Sequence, residues 1–201
     1  MTNDTAAILI MVSKMLDYPN EDFHQEYPAI QSFAKEHISS EEVLKEIEEK
    51  LQPLIDMSIQ ELQELYVDTF DYKEKTGLYL TAHELGDSRK RGNALIKLQK
   101  LIHESGYEST SKELVDYIPM LLEFLAVAPE EEKEVAFLSL RLSYAIHRVL
   151  QHLPTSNPYH EVVNLLMTFV FEPPRSEEIA KLENEREEAD LDPLPYPVMY
   201  Q

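Results

Sequence analysis

The stretch EVAFLSLRLSYAIHRVLQHL at residues 134–153 decides the fold class. Its apolar side chains recur every three or four positions, the spacing that places them on one face of an α-helix. Acidic residues after Pro129 favour a helix start there, because they complement the positive end of the helix dipole. The predicted apolar face comprises Val135, Leu138, Leu142, Ala145, Ile146 and Val149. The stretch therefore predicts one long helix from about Glu130 to Leu153.

Helical spacing continues over most of the remaining chain. Strand-and-turn folds need many glycines in their tight turns, and this chain has only 4 in 201 residues. The sequence therefore predicts an all-α protein, a single-domain helical bundle of roughly eight to nine helices. The other predicted helices cover about residues 5–16, a segment after Asn20, and about residues 40–53, 59–70, 89–105, 116–127 and 158–171.

Local signals set the expected helix ends. Two capping boxes are predicted, in each of which a serine and a glutamate bind each other's backbone N–H groups. The boxes pair Ser39 with Glu42 and Ser58 with Glu61. Pro28 is expected to kink or restart the second helix, and Pro53 to close the third. Residues 71–88, which include Gly77 and Gly86, are predicted to form a structured loop.

Composition restricts the class of protein. With 18 Lys+Arg against 38 Asp+Glu, the formal net charge is −20 at pH 7, which disfavours binding to nucleic acid or to anionic membranes. The chain has no cysteine, so it has no disulfide framework, thiolate metal site or cysteine nucleophile. No apolar run approaches the roughly 20 residues of a membrane helix, and no basic leader precedes the first one. We expect a soluble, cytoplasmic protein without membrane insertion.

Charge and proline content divide the chain into two parts. Residues 1–172 are expected to form the helical domain. Residues 173–201 carry many carboxylates and end in a proline-rich segment, a composition that buries too little apolar surface to form a core. We therefore expect the acidic tail, residues 173–201, to be loosely ordered.

No motif in the chain nominates a reaction. Glycine-rich phosphate loops cannot be written with so few glycines. His83 and Glu84 resemble the start of a zinc-protease motif, but Asp87 stands where the second histidine is needed. The sequence therefore predicts no catalytic residue, no metal site and no bound cofactor. One alternative stays open, an unrecognised all-helical enzyme in which Glu123 and a histidine act as acid and base.

A dense basic cluster, Arg89–Lys90–Arg91, stands at a predicted helix start, where cations oppose the helix dipole. The cluster either pairs with acids elsewhere in the fold or contacts an anionic group on a partner or cofactor.

Acidic and aromatic residues allow two interpretations each. Asp116 is placed to cap a helix start, while Glu123, inside an apolar run, lies on a polar stripe or beside a cation, where it anchors a basic ligand. Aromatic residues either pack in the core or form the wall of a groove whose rim is acidic. These aromatics are Tyr66, Phe70, Tyr72 and Tyr79, and the nearby acids are Asp68 and Asp71.

Several short motifs, in this order and spacing, resemble the nitrate reductase delta subunit (NarJ) family, within the wider TorD/DmsD-like redox-enzyme chaperones. The resemblance covers about residues 5–172. The motifs are YVDTFD at 66–71, LYLT at 78–81, GDSRKRG at 86–92, DYIP at 116–119 and LEFL at 122–125. His83 and Glu84 depart from the family pattern, in which aromatic residues are expected after the LYLT motif.

The resemblance implies a non-catalytic chaperone. Such a protein binds the apo catalytic (α) subunit of respiratory nitrate reductase, chiefly through the short, basic, amphipathic N-terminal peptide of that subunit. It supports insertion of the molybdenum cofactor before the subunit docks at the membrane, and it acts as a monomer or weak homodimer. An alternative is a chaperone of the same fold for a different molybdoenzyme.

An apolar groove with an acidic rim fits such a peptide, because a helix-in-groove complex needs both apolar anchors and charge complementarity. The predicted groove residues are Tyr66, Phe70, Leu78, Tyr79, Leu122 and Phe124. The predicted acidic contacts are Asp68, Asp71, Asp116 and Glu123.

Overall fold

Nine helices lie in the part of the chain that the computed structural model describes, residues 2–108, 112–129, 132–175 and 177. They are α1 (Asn3–Leu16), α2 (Phe23–His37), α3 (Glu41–Ile55), α4 (Ile59–Phe70), α5 (Leu80–Leu85), α6 (Arg91–Glu104), α7 (Ile118–Val127), α8 (Lys133–His152) and α9 (Pro158–Phe169). The prediction of an all-α fold is confirmed. The acidic tail lies almost entirely outside the described residues.

The centre of the fold is α1, which packs against α7, α9 and α2. Its side chains are buried on several sides, because apolar residues occupy nearly every position of its middle turns. The buried apolar residues of α1 are Ala7, Ile8, Leu9, Met11, Val12, Met15 and Leu16. Each large apolar side chain buried in this way contributes about 1.5–3 kcal/mol to folding. Packing on α1 is therefore the main organiser of the bundle.

The long helix of the opening stretch is α8, and its predicted apolar face is buried at every position. The fractional exposure of these residues does not exceed 2%, at Val135, Leu138, Leu142, Ala145, Ile146 and Val149. The helix begins at Lys133 with Glu132 as the N-cap residue and packs against α5, α7 and α9. Helical spacing thus predicted both the helix and the face that it buries.

One of the two predicted capping boxes is confirmed and the other is wrong by one residue. Glu61 accepts from the backbone N–H of Ser58 at 2.9 Å. Hydrogen bonds from the side chain and the backbone of Ser58 lower the pKa of the Glu61 carboxyl. In α3 the cap is Ser40, whose side chain accepts from Val43 N. Ser39 instead donates to Asp4 Oδ1 at 3.1 Å, so a long-range partner changed the helix start.

Pro28, expected to kink or restart the second helix, and Pro53, expected to close the third, both lie inside helices. α2 continues through Pro28, and α3 continues two residues beyond Pro53. Both prolines are on exposed faces, where water can bind the carbonyl that loses its helical partner. The packing of each helix on the core then outweighs the local penalty.

The predicted loop at 71–88 contains the short helix α5, which long-range contacts hold in place. A two-residue antiparallel bridge precedes it: Leu80 N donates to Asp116 O, and Ile118 N donates to Leu78 O, both at 2.9 Å. Gly77 is required before this bridge, since a Cβ there would lie 2.6 Å from the Lys73 carbonyl oxygen. The loop prediction failed because these partners are distant in sequence.

A buried ion pair fixes the other end of α5. Glu84 is buried, and Arg141 of α8 donates to both of its carboxylate oxygens, at 2.6 and 2.8 Å. Two parallel hydrogen bonds to a carboxylate give this pair a fixed geometry as well as energy. Glu84, one of the two residues that depart from the family pattern, thus has a structural role.

Asp116 is fully buried, and its side chain caps the start of α5 rather than the start of α7, which it precedes. Its Oδ2 accepts from the backbone N–H of Thr81 at 3.1 Å and from the Thr81 hydroxyl. Arg91 completes the cluster, with its Nη2 3.8 Å from Asp116 Oδ2 and its Nε donating to Thr81 Oγ1 at 3.2 Å. The expectation that Asp116 caps α7 is wrong, because its side chain satisfies an orphan N–H at the start of α5.

Arg91 should therefore matter for stability, whereas its neighbour Arg89 should not. Arg91→Gln removes the cation beside a buried carboxylate and is expected to lower the free energy of unfolding by about 1–3 kcal/mol. Arg89→Gln, which changes an exposed side chain, is the matched control and should shift it by less than about 0.5 kcal/mol. Urea denaturation measures both, and equal effects would contradict the assignment.

Candidate functional site

The residues predicted to form one groove are distributed over the core and two surface clefts. Tyr66, Leu78 and Leu122 are buried, with fractional exposures of 4%, 2% and 0%. Phe70 and Tyr79 line one cleft, and Phe124 lines the other. The structure therefore does not bring the set together on a single surface, and contact of any member with a partner stays a prediction.

One cleft, the motif cleft, has a volume of about 820 Å³ and lies where the motifs at 66–71, 78–81 and 86–92 meet. Its lining contains both acidic and basic side chains, together with a few aromatic rings. The lining includes Phe70, Asp71, Tyr72, Lys73, Tyr79, Asp87 and Arg91. Tyr72 projects fully into solvent from a left-handed backbone conformation, with φ of 54°.

A second cleft, of about 610 Å³, lies between α1, α7 and the end of α6. Its floor is apolar, and its edges carry three acids and one lysine. The apolar residues include Ile10, Ile102, Met120, Phe124 and Val127, and the charged residues are Lys14, Asp17, Glu108 and Glu123. Met120, Phe124 and Val127 follow helical spacing, so one face of α7 points into the cleft.

A third cleft, of about 820 Å³, continues the second one along α6. The two share Ile102, Tyr107 and Glu108 and are therefore adjacent, and we call them together the apolar groove. The third cleft adds Leu95, Ile96, Glu113, Leu114 and Val115 to the lining. The exposed fractions of Ile96, Leu114 and Val127 are 66%, 52% and 52%, and such exposure within one concave surface is typical of a binding site.

Negative charge dominates the rim of the apolar groove. Asp17, Glu108, Glu113 and Glu123 line it, against Lys14 and Lys100. Lys14 Nζ lies 2.6 Å from Glu123 Oε1, which also accepts from the hydroxyl of Ser13 at 3.0 Å. The sequence left two placements open for Glu123, and the structure assigns it a cation partner from α1.

The end of the groove beside Asp17 is fixed by a tyrosine pair. Tyr117 donates to Asp17 Oδ1 at 3.1 Å, and its hydroxyl lies 2.9 Å from that of Tyr66. Burial raises the pKa of both tyrosines, so both hydroxyls stay protonated near neutral pH. This end of the groove is therefore a rigid, neutral hydrogen-bonding floor beneath one carboxylate.

Tyr79 belongs to the walls of both surfaces. Its ring lines the motif cleft, and its hydroxyl donates to Glu113 Oε2 on the rim of the apolar groove at 2.7 Å. The Tyr79 and Tyr117 rings lie 5.6 Å apart, across the antiparallel bridge that joins their segments. This pair of tyrosines is the partition between the two surfaces.

The predicted acidic and basic residues also separate. Asp68 and Asp71 are exposed, Asp71 at the edge of the motif cleft, whereas Asp116 is buried beneath Thr81. In the basic cluster, Arg91 is directed at Asp116, while Arg89 and Lys90 are exposed. Pairing with an acid elsewhere in the fold is thus confirmed for Arg91.

Sequence reasoning missed most of the apolar groove. It selected Glu123 and Phe124 but not Lys14, Asp17, Tyr117 or the apolar residues of α6. One signal was present: Ile96 is a large apolar residue on the otherwise polar outer side of its helix.

Metal ligands and acid–base pairs are two signs of an enzymatic site. The part of the chain that the structure describes contains no group of three or more histidines, aspartates or glutamates placed to hold a metal ion. Among the described residues, His103 lines the third cleft, and no histidine lines the cleft that holds Glu123. None of the helices that the structure describes has the length and apolar content to cross a bilayer.

Comparison with known proteins gives a consistent set of relatives. The nitrate reductase delta subunit family matches residues 29–153. The chain is 33% identical over 136 residues to the probable nitrate reductase molybdenum cofactor assembly chaperone NarJ of Bacillus subtilis, covering 68% of this chain and 73% of that protein. It is 31% identical over 125 residues to the nitrate reductase molybdenum cofactor assembly chaperone NarJ of Escherichia coli K12, covering 62% and 53%.

A shorter match, 30% identical over 87 residues, is to the probable nitrate reductase molybdenum cofactor assembly chaperone NarW of Escherichia coli K12, covering 43% of this chain and 38% of that protein. The names of these relatives describe assembly chaperones, in agreement with the prediction that this chain is not an enzyme. The family match spans more than half of the chain and agrees with the order of the motifs. The chain belongs to the nitrate reductase delta subunit family.

Proposed function

We propose that this protein is an assembly chaperone for the catalytic subunit of a respiratory nitrate reductase. It receives the basic, amphipathic N-terminal peptide of that subunit as a helix in the apolar groove. While bound, it holds the apo subunit competent for molybdenum cofactor insertion and delays its docking at the membrane. The observation that carries the proposal is a pair of adjacent apolar clefts with four acids in their lining, Asp17, Glu108, Glu113 and Glu123.

Apolar burial alone is too weak to account for such a complex. Four apolar anchors of a peptide helix, each contributing about 1.5–3 kcal/mol, supply roughly 6–12 kcal/mol. Ordering and associating the peptide cost about 4–15 kcal/mol. The attraction between the acidic rim and a basic peptide therefore decides whether binding is observed, and it also raises the association rate. Moderate affinity suits a chaperone, because it must release its client.

The apolar groove is a better seat for the peptide than the motif cleft. Charges nearly cancel in the lining of the motif cleft, where three acids face Lys73 and Arg91, whereas four acids face two lysines in the apolar groove. The apolar groove also exposes Ile96, Leu114 and Val127, which lose water-accessible surface when a helix covers them. In this proposal the chaperone holds no cofactor of its own, since the molybdenum cofactor enters the client. We also propose that it acts in the cytoplasm, as a monomer or weak homodimer.

Calorimetry with a synthetic N-terminal peptide of the catalytic subunit tests the proposal directly. We expect a dissociation constant below about 100 μM at low ionic strength. Raising the salt to 1 M should weaken binding by about tenfold or more, because the Debye length falls to about 3 Å. A peptide with its Lys and Arg replaced by Gln is the control and should bind weakly at both salt concentrations. No heat with the basic peptide would refute the proposal.

A pair of leucine variants tests the location of the site. Leu114→Ser removes an exposed apolar residue of the groove, and Leu140→Ser removes a similarly exposed leucine of α8 outside it. Leu114→Ser is expected to weaken peptide binding by roughly tenfold, because it deletes part of the apolar surface that the peptide covers. Leu140→Ser should leave affinity unchanged. Equal effects of the two variants would place the peptide elsewhere.

Co-production of the chaperone with the catalytic subunit tests the assembly role. The molybdenum content of the purified subunit should be high with the wild-type chaperone and low without it. Leu114→Ser should give an intermediate content and Leu140→Ser the wild-type content, as measured by elemental analysis. A molybdenum content independent of the chaperone would show that the complex has another purpose.

A further inference from the structure

The part of the apolar groove between α1 and α7 already contains a cation, Lys14, supplied by the chaperone itself. Lys14 extends from the last turn of α1 into the groove and places its Nζ 2.6 Å from Glu123 Oε1. Both side chains are about half exposed, 49% for Lys14 and 44% for Glu123. The contact is therefore accessible to a ligand that enters the groove.

A cation in this position reduces the charge that an incoming basic helix meets. Asp17 and Glu108 line the same cleft as Glu123, and Lys14 is the basic residue among them. Its positive charge opposes the entry of a second cation and occupies the carboxylate that such a cation would bind. Ser13, which donates to the same Oε1, holds that carboxylate toward α1.

We propose that Lys14 is an internal substitute for a basic residue of the client peptide. In the empty chaperone it pairs with Glu123. When the peptide binds, a peptide Lys or Arg takes its place on Glu123, and Lys14 moves into solvent. Lys14 thereby limits affinity and favours peptides that carry a cation at the matching position. This inference depends on the proposed function, since it concerns the same groove.

The strength of the Lys14–Glu123 pair suits displacement. Ion pairs between exposed side chains are weak, so the cost of separating this one is small. An arginine of the peptide can replace it with two parallel hydrogen bonds to one carboxylate, a geometry that lysine cannot provide. Displacement of Lys14 from Glu123 by a peptide arginine is then favourable, whereas a neutral peptide residue gains nothing at this position.

Lys14→Gln tests the inference, with Lys35→Gln as the matched control. Lys35 is also half exposed and pairs with Glu48 at 3.3 Å, in a contact between α2 and α3 that lies outside the groove. Lys14→Gln is expected to tighten binding of the basic N-terminal peptide by about three- to tenfold in low-salt calorimetry. Lys35→Gln should leave the affinity unchanged. Thermal unfolding of both variants confirms that they are folded.

Two further measurements test whether the gain depends on the peptide's charge and on Glu123. With the peptide whose Lys and Arg are replaced by Gln, Lys14→Gln should give no gain. In the Lys14→Gln background, Glu123→Gln should remove the gain with the basic peptide. Unchanged or weaker binding by Lys14→Gln, with normal binding by the wild type, would overturn the inference and leave the proposed function intact. Failure of the wild type to bind would overturn both.

Discussion

The packing of α1 against α7 is the interaction on which the rest of the structure depends. Both helices have apolar residues around most of their circumference, so each must be covered on more than one side. Where they meet each other, and where α1 meets α9, they form the core. The remaining apolar edge of α7 faces α6 across open space, and this uncovered edge is the floor of the apolar groove. Core and groove are therefore two faces of one helix pair.

Sequence periodicity predicted the parts of the fold that depend on local pattern. It gave α8, its buried face and the Ser58 capping box, because each rests on residues within one or two helical turns. It failed where the deciding partner is remote. Ser39 is drawn to Asp4, and α5 is fixed by partners on two other segments. A concave surface is harder still, because the apolar groove depends on how three helices are placed relative to one another.

Many residues of the motifs that carry the family resemblance stabilise the fold. Thr81, Arg91 and Asp116 come from three motifs and meet in one buried cluster that fixes the start of α5. Tyr66 and Tyr117 come from two of them and support the floor beside Asp17. The residues selected from motifs were thus often those that build the walls of the site. Surface residues such as Ile96 and Leu114, which line the groove, lie outside the motifs.

Tyr79 gives the partition between the two surfaces a mechanical property. Its ring is a wall of one cleft, while its hydroxyl holds a carboxylate on the rim of the other. A ligand cation that draws Glu113 away must either break that hydrogen bond or pull the ring with it. Displacement of Glu113 therefore breaks or moves a contact of a residue that lines the motif cleft. Through this one phenol group, a change at the rim of the groove reaches a wall of the other surface.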